Sequence, residues 1–264
     1  MSLMSERRFS QEADRLIVAH RGASANEAEN TLAAFDSAVV AGADIVELDV
    51  RMTADAVAVV MHDPDVSRTT DGHGLVRDLR LDELKALRIR TADGGLTEVP
   101  TLAEALTCLS GRAAVDVEIK NIPGEPDFDG GSESAVEATL RALDSEAFVG
   151  PALLSSFNPL SIARALRLAP WVPTGLLTTG DVEPFAAFDL ARDQGHSWVL
   201  PFAVGVLAAG PSLAARVHGA GMRLGTWITD DPTEAVALMR AGVDAVATND
   251  PAAIVTARKE AFGS

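Results

Sequence analysis

Ile45-Val46-Glu47-Leu48-Asp49-Val50 and Val115-Asp116-Val117-Glu118-Ile119-Lys120 are the two stretches whose reading decides the fold. Both are short apolar runs interrupted by acids at every second position. Side chains alternate along a β-strand, so Glu47 and Asp49 share one face, and Asp116, Glu118 and Lys120 share one face of the other strand. The period predicts that these faces point inward. A carboxylate inside an apolar strand needs a partner, usually a cation.

Outward from these stretches the chain alternates. Further β-like runs cover Leu16–Ala19, Val57–Met61, Ala152–Leu154, Val172–Leu177, Trp198–Leu200, Arg223–Ile228 and Val243–Ala247. Helix-like segments follow many of them. Thr31–Val40 carries Leu32, Phe35, Val39 and Val40 at helical spacing. Ser134–Leu143, Ser161–Leu168, Ser212–Ala220 and Thr233–Ala241 read the same way, and Asp181–Asp193 is a weaker helix with Pro184 in its first turn. Ala41-Gly42 and Ala241-Gly242 are predicted left-handed helix ends.

Strand–helix alternation implies parallel strands with crossover helices, in an open doubly wound sheet or a closed barrel. About eight βα units and no glycine-rich nucleotide fingerprint favour an α/β fold of the single (β/α)8 barrel type. The length of 264 residues suits it. A barrel also gathers strand ends around one mouth, where an open sheet would spread them along a crevice. Residues 63–100 break the rhythm with turns at Asp71-Gly72-His73-Gly74 and Asp93-Gly94-Gly95 around a short helix at Leu81–Leu87. They read as a small insertion after the second strand region, on the C-terminal face and covering the mouth. The expectation is one domain over residues 1–264.

Composition narrows the function. A net charge of −16 argues against nucleic acid and anionic membrane as partners. An anionic substrate would therefore need local cations. No apolar run approaches the roughly 20 residues of a membrane helix, and the polar stretch Met1–Arg15 is unlike a secretory signal. A cytoplasmic protein without stable membrane association is expected, its oligomeric state left open. The one cysteine, Cys108, excludes an internal disulfide and reads as a small helix hydrophobe.

Three carboxylates, Glu47, Asp49 and Glu118, supply oxygen ligands only, which suits Mg²⁺ or Ca²⁺, with Mn²⁺ a third choice. The competing reading is a structural network with Arg21, Lys120 or Arg51. Asp116 shares the inner face and would stand behind the ligands. His20 and His62 each end an apolar run and suit proton transfer near neutrality. His73, His196 and His218 read as surface or structural. Arg21 and Lys120 suit non-bridging phosphate oxygens, with Gly22 letting backbone approach the ligand. Asn30 reads first as the N-cap of the helix that follows, with a direct catalytic part as the alternative. Arg68 would order the start of the insertion, and Trp227 would face the mouth and pack on a glycerol unit.

The ordered motifs His20-Arg21-Gly22, Glu29-Asn30-Thr31, Glu47-Leu48-Asp49-Val50, His62-Asp63, Arg68-Thr69-Thr70, Pro100-Thr101-Leu102, Val117-Glu118-Ile119-Lys120, Ser156-Phe157, Thr226-Trp227 and Gly242-Val243-Asp244 resemble the glycerophosphodiester phosphodiesterase family over nearly the whole chain. The resemblance implies a TIM barrel with a small insertion. It implies hydrolysis of glycerophosphodiesters to glycerol 3-phosphate and an alcohol with one divalent cation. His20 and His62 would be the acid–base pair, Glu47, Asp49 and Glu118 the metal ligands, and Arg21 and Lys120 the phosphate contacts. Three positions depart from the pattern: Ala28, Ala56, and Asn249 in place of the usual aspartate. All three are expected to be scaffold or rim positions bearing on substrate preference. Two other functions stay in view: a phospholipase-type phosphodiesterase acting on lysolipid or sphingolipid head groups, motivated by the apolar Leu200–Leu207 stretch, and a non-catalytic phosphodiester binder.

Overall fold

The computed structural model describes residues 15–145 and 148–263. Most of the polar N-terminal stretch lies outside the described residues. Eight parallel strands close on themselves: β1 (Leu16–Ala19), β2 (Ile45–Met52), β6 (Ala114–Ile119), β7 (Ala152–Ser156), β8 (Thr174–Leu177), β9 (Trp198–Leu200), β10 (Arg223–Thr226) and β11 (Ala245–Thr248). Closure is made by β1, which pairs with β11 through Leu16↔Ala245 and with β2 through Val18↔Ile45. The run read at Val57–Met61 is different. It forms β3 (Ala58–Val60), antiparallel to β2 and outside the barrel. Nine apolar runs thus yield eight barrel strands and one hairpin arm.

Alternation decides what fills the barrel. Val18, Ile45, Leu153, Leu177, Trp198, Leu200 and Ala247 point inward and form a core of their own. Leu200 occupies space that two glycines leave on neighbouring strands: a Cβ on Gly175 would stand 2.9 Å from it, and one on Gly225 2.5 Å. The outward faces, such as Val46, Leu48 and Val50 of β2, pack against helices.

Local signals start those helices. Asn158, Glu183, Asp231 and Asp250 each cap a helix whose first residue is proline, opening Pro159–Leu168, Pro184–Asp193, Pro232–Arg240 and Pro251–Phe262. Proline suits that position because its missing N–H would be unpaired there anyway. The first helix, Leu32–Ala41, is capped by Thr31, whose hydroxyl accepts from Ala34 N at 3.2 Å. The cap assigned to Asn30 is therefore corrected, since that residue faces the barrel. The apolar stretch after β9 contains a helix, Ala203–Ala209.

Residues 63–100 hold two 3₁₀ turns, a helix at Leu81–Ala86, and the small hairpin β4 (Ile89–Arg90) and β5 (Leu96–Thr97). Met61, Val66, Val76, Leu84, Ile89 and Val99 give the segment a core. It flanks the C-terminal end of β2 through β3. Among the described residues no helix is long and apolar enough to cross a membrane.

Candidate active site

The C-terminal halves of β2 and β6 lie in register, with Glu47 opposite Asp116 and Asp49 opposite Glu118. One oxygen from each of Glu47, Asp49 and Glu118 lies within 4.8 Å of the other two. All three side chains are buried. Glu47 Oε2 accepts the Arg21 backbone N–H at 2.8 Å, whereas Glu47 Oε1 has no hydrogen-bond partner. Asp49 Oδ2 accepts from Asn30 Nδ2 at 2.7 Å. Lys120 Nζ stands 3.1 Å from Asp49 Oδ1 and 2.6 Å from Glu118 Oε1. Apart from that ammonium those two oxygens have no partner, and Glu47 Oε1 has none at all. An all-oxygen donor set of this kind fits a hard divalent ion.

Electrostatics divides the acids. Burial, then repulsion from Asp49 and Glu118, raises the Glu47 pKa well above the ordinary range. Burial also raises Glu118 to about 7, against the pull of Lys120. For Asp49, burial is outweighed by the charges of Lys120, His62 and Arg21, which hold its carboxyl below the usual range. Asp116 lies on the inner face behind them, pushed to about 7 chiefly by burial.

Arg21 adopts a left-handed φ of 56°, costly for a residue with a side chain. It is held there by Glu47 on its backbone N–H, and by Glu29 at 2.9 Å and Asp49 at 3.3 Å on its guanidinium. Gly22, at φ 83°, has another reason to be glycine than the one expected. A Cβ would stand 2.6 Å from the carbonyl carbon of Ala34, so the first helix already requires a glycine here.

His20 ends β1 and lines the barrel cavity beside Glu47, Glu118 and Trp227. Its Nδ1 lies 2.9 Å from Asn249 Oδ1. Asn249, expected at a scaffold or rim position, thus contacts the histidine directly. Burial, then the Arg21 charge, lowers the His20 pKa to about 4. His62 follows β3 and is half-buried, with Nδ1 2.5 Å from Asp63 Oδ1. Burial lowers its pKa too, opposed by Asp49. Asp63 also pairs with Arg68, and Arg68 meets Glu29 at 2.6 Å. Through Arg68 the 63–100 segment reaches the rim, while the cavity lining comes from the barrel strands and their ends.

Opposite the acids stands an aromatic wall. Trp227 follows β10 and meets Phe157 edge-on at 5.0 Å and Phe202 at 5.3 Å. Its Nε1 donates to the Thr178 carbonyl at 3.2 Å. The cavity below is lined by Val18, Ile45, Leu153, Leu177 and Leu200.

Glu47, Asp49, Glu118, Lys120, Arg21, His20 and Trp227 thus converge at the mouth, with His62 close enough to act on the Asp49 charge. Three contributors were legible in the sequence only in part. Asn30 was read as a cap. Arg51 is the next inward position after Glu47 and Asp49, so the period-two pattern already marked it. Phe202 stood only within the apolar Leu200–Leu207 stretch, with nothing to pair it with Trp227. The other histidines are as expected: His196 is buried against Thr174, His218 pairs with Asp244 at the surface, and His73 is exposed.

Fold and donor set define a class: a (β/α)8 enzyme whose mouth combines buried carboxylates with histidines and fixed cations. The glycerophosphoryl diester phosphodiesterase family model matches residues 20–253, and the chain belongs to that family. It is 34% identical over 251 residues to the glycerophosphodiester phosphodiesterase of Caldanaerobacter subterraneus subsp. tengcongensis, covering 91% of this chain and 96% of that one. It is 30% identical to the Bacillus subtilis glycerophosphodiester phosphodiesterase, covering 90% and 85%. Among solved structures, a phosphodiesterase from Oleispira antarctica in complex with the product sn-glycerol-3-phosphate superposes with a TM-score of 0.81 at 28% identity, covering 92% and 96%. The Agrobacterium tumefaciens glycerophosphodiester phosphodiesterase gives 0.75 at 27% identity, covering 92% and 99%.

Proposed function

We propose that this enzyme hydrolyses glycerophosphodiesters to glycerol 3-phosphate and an alcohol with one divalent cation and a histidine pair. One observation carries the reading: three buried carboxylates bring one oxygen each within 4.8 Å of the others at the barrel mouth. Glu47, Asp49 and Glu118 would hold the cation, Mg²⁺, Ca²⁺ or Mn²⁺. When bound, it supplies Lewis acidity to a phosphate oxygen and offsets charge on phosphorus.

The chain's own groups do the rest. Arg21 and Lys120 hold non-bridging oxygens, the first through its fork and the second as a point charge. One of His20 and His62 takes a proton from the attacking hydroxyl, and the other delivers one to the leaving alkoxide. Trp227, with Phe157 and Phe202 beside it, gives the glycerol unit an apolar surface. Residues 63–100 act as an insertion within this single catalytic unit, with Arg68 bracing the rim. A cytoplasmic setting belongs to the same proposal.

The test is release of glycerol 3-phosphate from glycerophosphocholine or glycerophosphoethanolamine with each ion. EDTA should abolish it, and His20→Ala should lower kcat by about 10²–10⁴-fold. Turnover indifferent to both would refute the reading. A phospholipase-type activity has one feature in its favour: Val204, two residues beyond Phe202, is 64% exposed. Preference for acylated over deacylated substrate would select it.

A further inference from the structure

Asn249 follows β11, next to the end of β1. Backbone bonds from His20 N to Thr248 O (2.9 Å) and from Ala25 N to Asn249 O (2.9 Å) join the two strand ends. The Asn249 side chain has its orientation dictated by its neighbours. Nδ2 lies 2.8 Å from Asp230 Oδ2. An ionised carboxylate only accepts, so the amide NH₂ faces Asp230 and the carbonyl oxygen faces His20. Asp230 is itself anchored, accepting from Asn249 N at 2.7 Å and Thr248 Oγ1 at 2.8 Å. Ser24 Oγ lies 2.9 Å from Asn249 Oδ1 and 2.8 Å from the His20 carbonyl, and its single proton serves one of them at a time. His20 Nδ1 is the other group at that oxygen.

A carbonyl oxygen has no proton to give. The contact is a hydrogen bond only when Nδ1 carries the hydrogen, and in a neutral imidazole that leaves the lone pair on Nε2. We propose that Asn249, anchored by Asp230, is a positioning residue that selects the Nδ1–H tautomer of His20 and so presents Nε2 to the cavity as a proton acceptor. The functional side of this rests on the reading of His20 as a catalytic group. His62 is built differently, because its Nδ1 meets the Asp63 carboxylate, which stabilises an imidazolium. The amide at Asn249 has no net charge and sets geometry and tautomer alone.

The test is histidine-ring ¹⁵N NMR of the Mg²⁺-loaded protein at pH 8, with the His20 signals assigned by their loss in His20→Gln. The wild-type spectrum should show protonated Nδ1 and unprotonated Nε2. Asn249→Ala should populate the Nε2–H tautomer and lower kcat for glycerophosphocholine about 10- to 100-fold with little change in KM. Asn249→Asp alone would set two carboxylates against each other, so the conservative variant is the exchange Asp230→Asn/Asn249→Asp. It keeps the donor and acceptor pattern and should restore the protonated Nδ1 and part of kcat, the carboxylate now on His20 favouring the imidazolium as Asp63 does on His62.

A wild-type Nε2–H tautomer, or an Asn249→Ala protein with unaltered tautomer and kcat, overturns the proposal. The wild-type spectrum decides even where a variant fails to fold. Full turnover in His20→Ala would instead remove the catalytic reading of His20 while leaving the tautomer result intact, so the two failures are told apart.

Discussion

Asp49 is the most buried acid of the site and the one held ionised. It meets two cations, Arg21 and Lys120, and takes an amide N–H from Asn30. Asn30 sits at φ 57°, a conformation that asparagine tolerates better than most residues. Asn30→Ala should weaken cation binding about 10- to 100-fold, read by titration calorimetry with Mg²⁺; unchanged affinity would show that Asp49 is aimed by Arg21 and Lys120 alone. Glu47 and Glu118 behave oppositely. Burial raises both, and the folded, metal-free state retains protons that the unfolded chain gives up above an ordinary pKa of 4.5. The contribution of Glu118 to metal-free stability therefore falls as pH rises from 4.5 through about 7, and that of Glu47 falls in the same direction. A divalent cation displaces those protons. The stabilisation it confers should grow across that window, measured as the difference in Tm between Mg²⁺ and EDTA from pH 5 to pH 8. A pH-independent difference would contradict the assignment of these acids as ligands.

At the scale of elements, β2 does more than carry two of the buried acids. Beyond Glu47 and Asp49 its inner face ends in Arg51, which is 2% exposed. Arg51 Nε donates to the His62 carbonyl at 2.7 Å, and one terminal nitrogen reaches Asp127 at 2.6 Å and the Lys120 carbonyl at 3.3 Å. The other meets Glu125 at 2.8 Å. One guanidinium thus ties the exits of β2, β3 and β6 to the loop that follows β6. Arg51→Met would leave Asp127 buried without its charge partner, a loss of about 3–5 kcal/mol. Urea unfolding should show it, and kcat should fall as well because the His62 backbone loses its anchor. A variant as stable as the parent would mean that the loop holds itself.

The whole barrel separates stability from chemistry. The acids and histidines of the site stand at the C-terminal ends of the strands, as in other barrels of this kind. At the opposite end His196 precedes β9, buried against Thr174 at 2.8 Å and Gln194 at 3.1 Å. Burial lowers its pKa from 6.5 to about 4. Between those values the unfolded chain binds the proton and the folded one does not. This contribution is complete above pH 6.5 and is lost as pH falls towards 4. His196→Gln should flatten the fall of the urea midpoint over that range, though not abolish it, because His20 acts in the same direction. An identical profile would remove His196 from the acid response.

The barrel was legible because its signals are local. Period-two acids in β2 and β6, helical stripes and polar caps each act within a few residues, so Glu47, Asp49, Glu118 and Lys120 could be set on inward faces from chain order alone. The Val57–Met61 run is a strand as expected, but its place outside the barrel was not legible, because a hairpin arm and a barrel strand share the same local pattern.

What chain order determined, then, was the architecture and which residue types line the mouth. Which residue holds which was settled by closure of the sheet. Bringing β11 beside β1 sets Asn249 on His20 across 229 positions, and folding the first helix over β2 turns Asn30 from its expected cap onto Asp49. Hydrogen bonds and charge contacts act over a few ångströms. Their partners are chosen by the distances that the closed barrel imposes, and a linear chain contains those distances only once it has folded.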